Sequence, residues 1–173
     1  MAVDTRTDKH PATPIQGSYG HPIHPILVTI PIGAWVASLV FDFVSRAADN
    51  PETFFDGAYW LIGIGIIGAV VSAVFGFLDY RRIAQGTTAK RTATIHLLAN
   101  DIVIVAFIVS FFLRRAADDQ ETSIGLIVLS IAALVLLSFS GYLGGKLSYR
   151  YGVRVADETT QGEGFRPASR ARS

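Results

Sequence analysis

Residues 58 to 78 read AYWLIGIGIIGAVVSAVFGFL, from Ala58 to Leu78 without one charged side chain. A helix rises about 1.5 Å per residue, so roughly 20 apolar residues cross a hydrocarbon core about 30 Å thick. The stretch is apolar all round, with no charged face for water, and its solvent is therefore lipid. Working outward, three further stretches share this character: Ile26 to Val44, Ala93 to Leu113 and Ile124 to Leu143. Half of the 173 residues are hydrophobic, and four spans leave little chain for a separate soluble domain. The expected fold class is all-α, a membrane-embedded four-helix up-down bundle over residues 21–155, because short connections make consecutive helices antiparallel neighbours. Residues 1–20 and 156–173 are rich in Thr, Asp, Gly, Pro, Ser and Arg and lack periodicity, so both are expected to be disordered tails. No small-x-small cleavage site follows the first span before Arg46, so it reads as a retained anchor. No sequence repeat between the two helical hairpins is visible.

The loops set the orientation. Arg6, Lys9, Arg81, Arg82, Lys90, Arg91, Lys146, Arg150, Arg154, Arg166, Arg170 and Arg172 fall on the side of the two termini. Only Arg46, Arg114 and Arg115 fall on the other, beside Asp49, Glu52, Asp56, Asp118, Asp119 and Glu121. Basic loops resist translocation, which predicts that the N-terminus and C-terminus are both cytoplasmic. A net charge of +1 hides this asymmetry and gives no reason to expect nucleic acid as a partner.

Membrane helices associate by close packing and buried polar contacts, so small residues show where they touch. Gly68, Ser72 and Gly76 form one such row on the second span, with Gly65, Ala69 and Ala73 beside it. Gly141 and Gly145 are expected to do the same on the fourth.

The most specific string is GHPIHPILVTIPIG, Gly20 to Gly33. Pro22 and Pro25 hold His21 and His24 on a rigid turn at the membrane surface, with Pro25 suited to a first helical turn. Pro31 leaves the carbonyl of Leu27 without its helical donor, which predicts a kink. His96 lies about 4.5 Å into the third span, with Asn100 one turn on and on the same face. Asp101 lies about 12 Å deep. An ionised carboxylate there costs roughly 3 kcal/mol, so a donor such as Ser72 or Ser138 is expected to meet it. Asp101 and His96, five residues apart, are not expected to share a face. Asp42 is expected to pair at the surface with Arg46, one turn later. Asp79 either caps its helix end or orients a ligating imidazole. Tyr142 enters the same layer from the fourth span.

There is no cysteine, which excludes disulfides, thiolate metal ligands, iron–sulfur ligation and covalent c-type haem. Metal chemistry must rest on the four histidines and a few carboxylates. A b-type haem in a helical bundle needs two axial imidazoles, an apolar slot and cations for its propionates. His96 with His24 or His21 supplies the ligands. The Gly65 to Gly76 ribbon leaves room for the macrocycle, and Arg81, Arg82, Lys90 and Arg91 stand at the propionate level. The leading expectation is a haem b electron-transfer subunit serving a quinone or a partner redox protein, more a carrier than an enzyme. Two other readings stay open. One is a non-enzymatic interaction subunit, self-associating as a homo-oligomer, whose polar residues serve packing. The other is a divalent-metal or proton pathway through His21, His24, His96 and Asp101.

Four pieces carry a family resemblance: GHPIHPILVTIPIGAWVASLVFD (20–42), GFLDYRRI (76–83), HLLAN (96–100) and SGYLGGKLSYRYGVRV (140–155). The chain resembles the bacterial predicted membrane proteins grouped as domain of unknown function 2231. That resemblance implies four spans in a prokaryotic inner membrane and marks His21, His24, Asp79, His96 and Tyr149, with no role assigned to any. Similar domains fused to Rieske iron–sulfur or c-type cytochrome modules lean toward electron transfer, by analogy alone. Neither module is present in these residues.

Overall fold

The computed structural model describes residues 6–116 and 121–165. Helix α1 covers His24–Leu27, α2 Thr29–Ser45, α3 Pro51–Arg82, α4 Thr88–Ala116, α5 Ile124–Gly145 and α6 Glu158–Glu163. Short 3-10 turns occupy Thr7–Lys9 and Pro14–Gln16, and a π turn, Lys146–Arg150, prolongs α5. No strand occurs among the described residues. Four helical stretches, His24–Ser45, Pro51–Arg82, Thr88–Ala116 and Ile124–Arg150, are long and apolar enough to span a membrane, which implies a lipid bilayer as surroundings.

Pro31 acts where expected. With no N–H at Pro31, the helical ladder breaks at Val28, and α1 and α2 meet there as two pieces. Consecutive helices pack as neighbours and the last closes on the first: α2 on α3, α3 on α4, α4 on α5 and α5 on α2. Across the diagonal, Trp35 of α2 stacks on Phe107 of α4 with ring centroids 4.2 Å apart and 10° between planes. Ile62, Ala69, Val103 and Ala133 complete this central core.

Glycine shapes the α2–α3 seam. A Cβ on Gly65 would meet the Trp35 indole, one on Gly68 would meet Ile30 and Pro31, and one on Gly57 would meet Phe41. The expected small-residue ribbon is thus a packing surface filled by α2 side chains. On α5 the expectation shifts by one place. Nothing lies within 4 Å of a Cβ on Gly141, and Gly145 meets only Tyr149 of its own chain segment, whereas Gly144 is the close contact.

At the end away from the termini, Asp42 does not pair with Arg46. It is wholly buried and bonded by both terminal nitrogens of Arg114, at 2.8 and 2.9 Å, and by the Thr122 hydroxyl at 2.9 Å. Arg46 pairs instead with Glu121 at 3.0 Å. The helical spacing of Asp42 and Arg46 permitted a local bond. Arg114 wins because it is itself buried and its fork can satisfy both carboxylate oxygens.

Neither terminal segment is a free tail over the described residues. Gln16 is buried and donates to Asp79 at 2.9 Å, Arg154 donates its amide to the Asp8 carbonyl at 3.0 Å, and Tyr19 bonds Asp157. Residues 6–23 and 151–157 thereby cross-link over the termini-bearing end, and Asp157 caps α6 through the Thr160 amide. Residues 1–5 and 166–173, the rest of the expected tails, lie outside the described residues, as do 117–120 of the last connection.

Candidate functional site

A cavity of about 350 Å³ opens among the helices at the termini-bearing end, and His24, His96, Asn100, Asp101, Asp79 and Arg154 all line it. That volume lies within the range of small-molecule sites, about 300–1,000 Å³. Its two imidazoles are held by one device used twice. His24 Nδ1 lies 2.9 Å from the backbone carbonyl of Ser72, and the ring rests on Gly76, four residues further along α3. His96 Nδ1 lies 2.8 Å from the backbone carbonyl of Ser140, and its ring rests on Gly144, four residues further along α5. A carbonyl only accepts, so each Nδ1 carries the hydrogen and each Nε2 of the neutral ring keeps its lone pair. Nε2 of His96 accepts from the Asn100 amide at 3.1 Å, as their shared helix face predicts. For Nε2 of His24 no protein partner is present among the described residues.

The parallel extends along the helices. His24, Trp35, Ser38 and Asp42 on α1–α2 recur, with one fixed offset, as His96, Phe107, Ser110 and Arg114 on α4, the offset of 72 positions being that of the Asp42–Arg114 bond. Trp35 meets Phe107 and Asp42 meets Arg114, so equivalent positions of the two hairpins touch each other. The two histidines line the cavity as a similarly held pair.

Other expected site residues fall elsewhere. His21 is exposed, 3.4 Å from the Tyr19 carbonyl, and does not line the cavity. Arg81 and Arg91 are exposed, Arg82 bonds the Thr7 carbonyl at 3.2 Å, and Lys90 donates to the Tyr80 carbonyl at 2.8 Å while lying over the Tyr80 ring. None of the four lines the cavity. Tyr142 and Tyr149 are 67% and 93% exposed, on outward faces, and stand outside the site. Of the glycine ribbon only Gly76 and Ala73 border the cavity, since Trp35 and Pro31 fill the rest.

Asp79 neither caps a helix nor orients an imidazole: it accepts from Gln16 and lies 3.0 Å from Nε of Arg154. Asp101 receives no bond from Ser72 or Ser138. Its residue is exposed on the outer side of α4 yet reaches the cavity wall together with His96. Ser72 Oγ is buried without a partner, and Ser138 bonds the Leu134 carbonyl. Among the described residues no group of three or more His, Asp or Glu comes together to hold a metal ion, so His21, His24 and His96 do not form the expected cluster. Arg154 was read only as a topogenic charge. Nothing in its sequence neighbourhood distinguishes it, and it enters the site because the chain turns back over the bundle after the π turn.

The glycine beneath each ring gives a direct test. Alanine for glycine inside a helix ordinarily stabilises by about 0.5–1 kcal/mol. At Gly76 the new Cβ would lie 2.8 Å from Cε1 of His24, so Gly76→Ala is expected to lower the unfolding temperature in detergent and displace the ring. Gly141→Ala, with open space around it, is expected to raise that temperature. Equal shifts for the two variants would show that His24 does not rest on α3.

A family model described as predicted membrane protein, DUF2231, matches residues 20–157. The chain belongs to this family of membrane proteins of unknown function. No curated protein and no solved structure matches it.

Proposed function

We propose that this chain is a b-type haem-binding electron-transfer subunit whose haem would be held by His24 and His96. The observation that carries the reading is the duplicated imidazole support, which brings two nitrogens of the same tautomer to one cavity from opposite hairpins. Ligating histidines characteristically donate their other N–H to a carbonyl, which fixes the ring and raises the basicity of the ligating nitrogen. The donor set fits a bis-imidazole iron centre, and Gly76 and Gly144 are the cradles that a side chain would obstruct. Such a group, when bound, supplies a one-electron couple. The chain's own residues hold the two Nδ1 protons on backbone carbonyls and wall off water with Ala73, Phe77, Ala93 and Leu97. Asn100 is a positioning residue that occupies Nε2 of His96 and must release it to a ligand. A quinone or a redox protein as electron partner, a bacterial inner membrane and cytoplasmic termini belong to the same proposal. The basic residues on the termini-bearing side support the last.

The test is an optical spectrum of the detergent-purified protein. A reduced-minus-oxidised b-type band is expected, and His24→Ala and His96→Ala are each expected to abolish the bis-imidazole signature. A colourless wild type that cannot be reconstituted with haemin would overturn the reading. The second reading, a cofactor-free interaction subunit, draws on the same bonds, since His24 joins α1 to α3 and His96 joins α4 to α5. It gains ground if colourless protein loses oligomeric order in either histidine variant.

A further inference from the structure

The surroundings of Arg154 are unusual for an arginine in the closing turn of a membrane domain. The residue is 3% exposed, lines the cavity, and adopts a φ of 61°, in the left-handed region that side chains other than glycine seldom occupy. Its fork is only partly used. One terminal nitrogen donates to the Gln16 carbonyl at 2.9 Å, and Nε faces Asp79 at 3.0 Å, off line for a hydrogen bond. The other, Nη1, is buried with no partner among the described residues. A guanidinium keeps its charge under all physiological conditions, and an unused buried N–H on a charged group is among the costlier vacancies a protein can hold.

We infer that Arg154 is a carboxylate clamp and that the cavity takes an apolar ligand carrying an acidic head. The inference rests on the reading of this cavity as a ligand site, without requiring that the ligand contain iron. The layering supports it. Asp79 lies about 4.5 Å nearer the termini-bearing end than Gly76, on which His24 rests, and Asp101 lies about 7.5 Å beyond His96 in the opposite direction. Arg154 and Asp79 therefore stand at the outer rim, the imidazoles at mid-depth, and Asn100 and Asp101 toward the inner end, Asp101 some 12 Å from the rim. An acidic head at the rim meets the one cationic group of the lining, whereas an apolar body passes between Phe77, Leu97 and the two glycines. Asp79 balances one edge of the guanidinium, and Nη1, enclosed and unpartnered as the side chain stands, meets the ligand's carboxylate when the fork turns toward the cavity it lines. The expected cations Arg81, Arg82, Lys90 and Arg91 cannot take this role because none of them reaches the cavity.

The experiment compares acids with their methyl esters on the full chain in neutral detergent. Haemin and haemin dimethyl ester are titrated by absorbance, and cis-parinaric acid and its methyl ester by fluorescence. Wild type is expected to prefer acid over ester by at least about tenfold in one or both pairs, as befits a charge-assisted bond. Arg154→Gln is expected to reduce that preference below about twofold while ester binding stays unchanged, which also shows that the variant is folded. Arg154→Lys, which keeps the charge, is expected to retain part of it. If parinaric acid shows the preference but haemin gives no bis-imidazole spectrum, the haem reading falls and the clamp stands. Equal binding of acid and ester by wild type, no binding of either pair, or a preference that survives in Arg154→Gln would overturn the clamp. Should Arg154→Gln fail to fold, wild type and Arg154→Lys decide the matter.

Discussion

Arg114→Met is expected to destabilise the bundle by about 3–5 kcal/mol, the cost of leaving a buried carboxylate without its partner. Among the described residues the side-chain partners of Asp42 are Arg114 and the Thr122 hydroxyl. Thr122 is in turn fixed by its amide bond to Ser45 at 3.2 Å. Both side chains of the ion pair are fully buried, so neither water nor salt screens the loss. Asp42→Leu is expected to cost a comparable amount by stranding Arg114. The double variant Asp42→Leu/Arg114→Met is expected to recover most of the stability, because a buried pair replaced by apolar groups of similar shape is often close to neutral. Reversible unfolding in mixed micelles measures all three. Single variants within about 1 kcal/mol of the parent would mean that water reaches the pair.

The second large effect is at the centre of the bundle. An added Cβ on Gly65 would collide with Nε1 of Trp35, and the indole cannot retreat because it is stacked on Phe107 and anchored to the Ile62 carbonyl at 3.4 Å. Gly65→Ala is therefore expected to cost about 2–3 kcal/mol, the upper part of the range for overpacking. Trp35→Ala is expected to cost about 3 kcal/mol. That is the low end for a buried aromatic, since in lipid the transfer contribution is missing and only the lost contacts and the void remain. The two are strongly coupled. Once the indole is gone the alanine methyl has space, so Gly65→Ala/Trp35→Ala is expected to be no worse than Trp35→Ala alone, a coupling of about 2 kcal/mol. Additive losses in a double-mutant cycle would show that Gly65 and Trp35 do not touch.

Much of the site could be read from the chain, but unevenly. His24 and His96 were legible because proline punctuation placed one and an apolar run enclosed the other, and Asn100 followed from helical spacing. His21 and Tyr149 carried a motif resemblance that implied importance without position, and both stand outside the cavity. The cations near Arg81 were misplaced for a physical reason. Their level in the membrane follows from counting residues, but which way a side chain faces around the helix depends on neighbours, and here Thr7 and Tyr80 claim Arg82 and Lys90. Arg154 and Gln16 were missed because two segments without periodicity fold onto each other, and no local pattern encodes a contact between chain ends.

What the amino-acid order alone determined was the solvent, the number of crossings and their up-down course, since apolar length and loop brevity act locally along the chain. Only the tertiary structure decided that Asp42 pairs across the bundle with Arg114, and that a carbonyl holds each imidazole over a glycine. Those outcomes depend on which residues meet from distant parts of the chain. A lipid-embedded bundle selects them by shape and by the need to satisfy every buried polar group, which no single helix can do for itself.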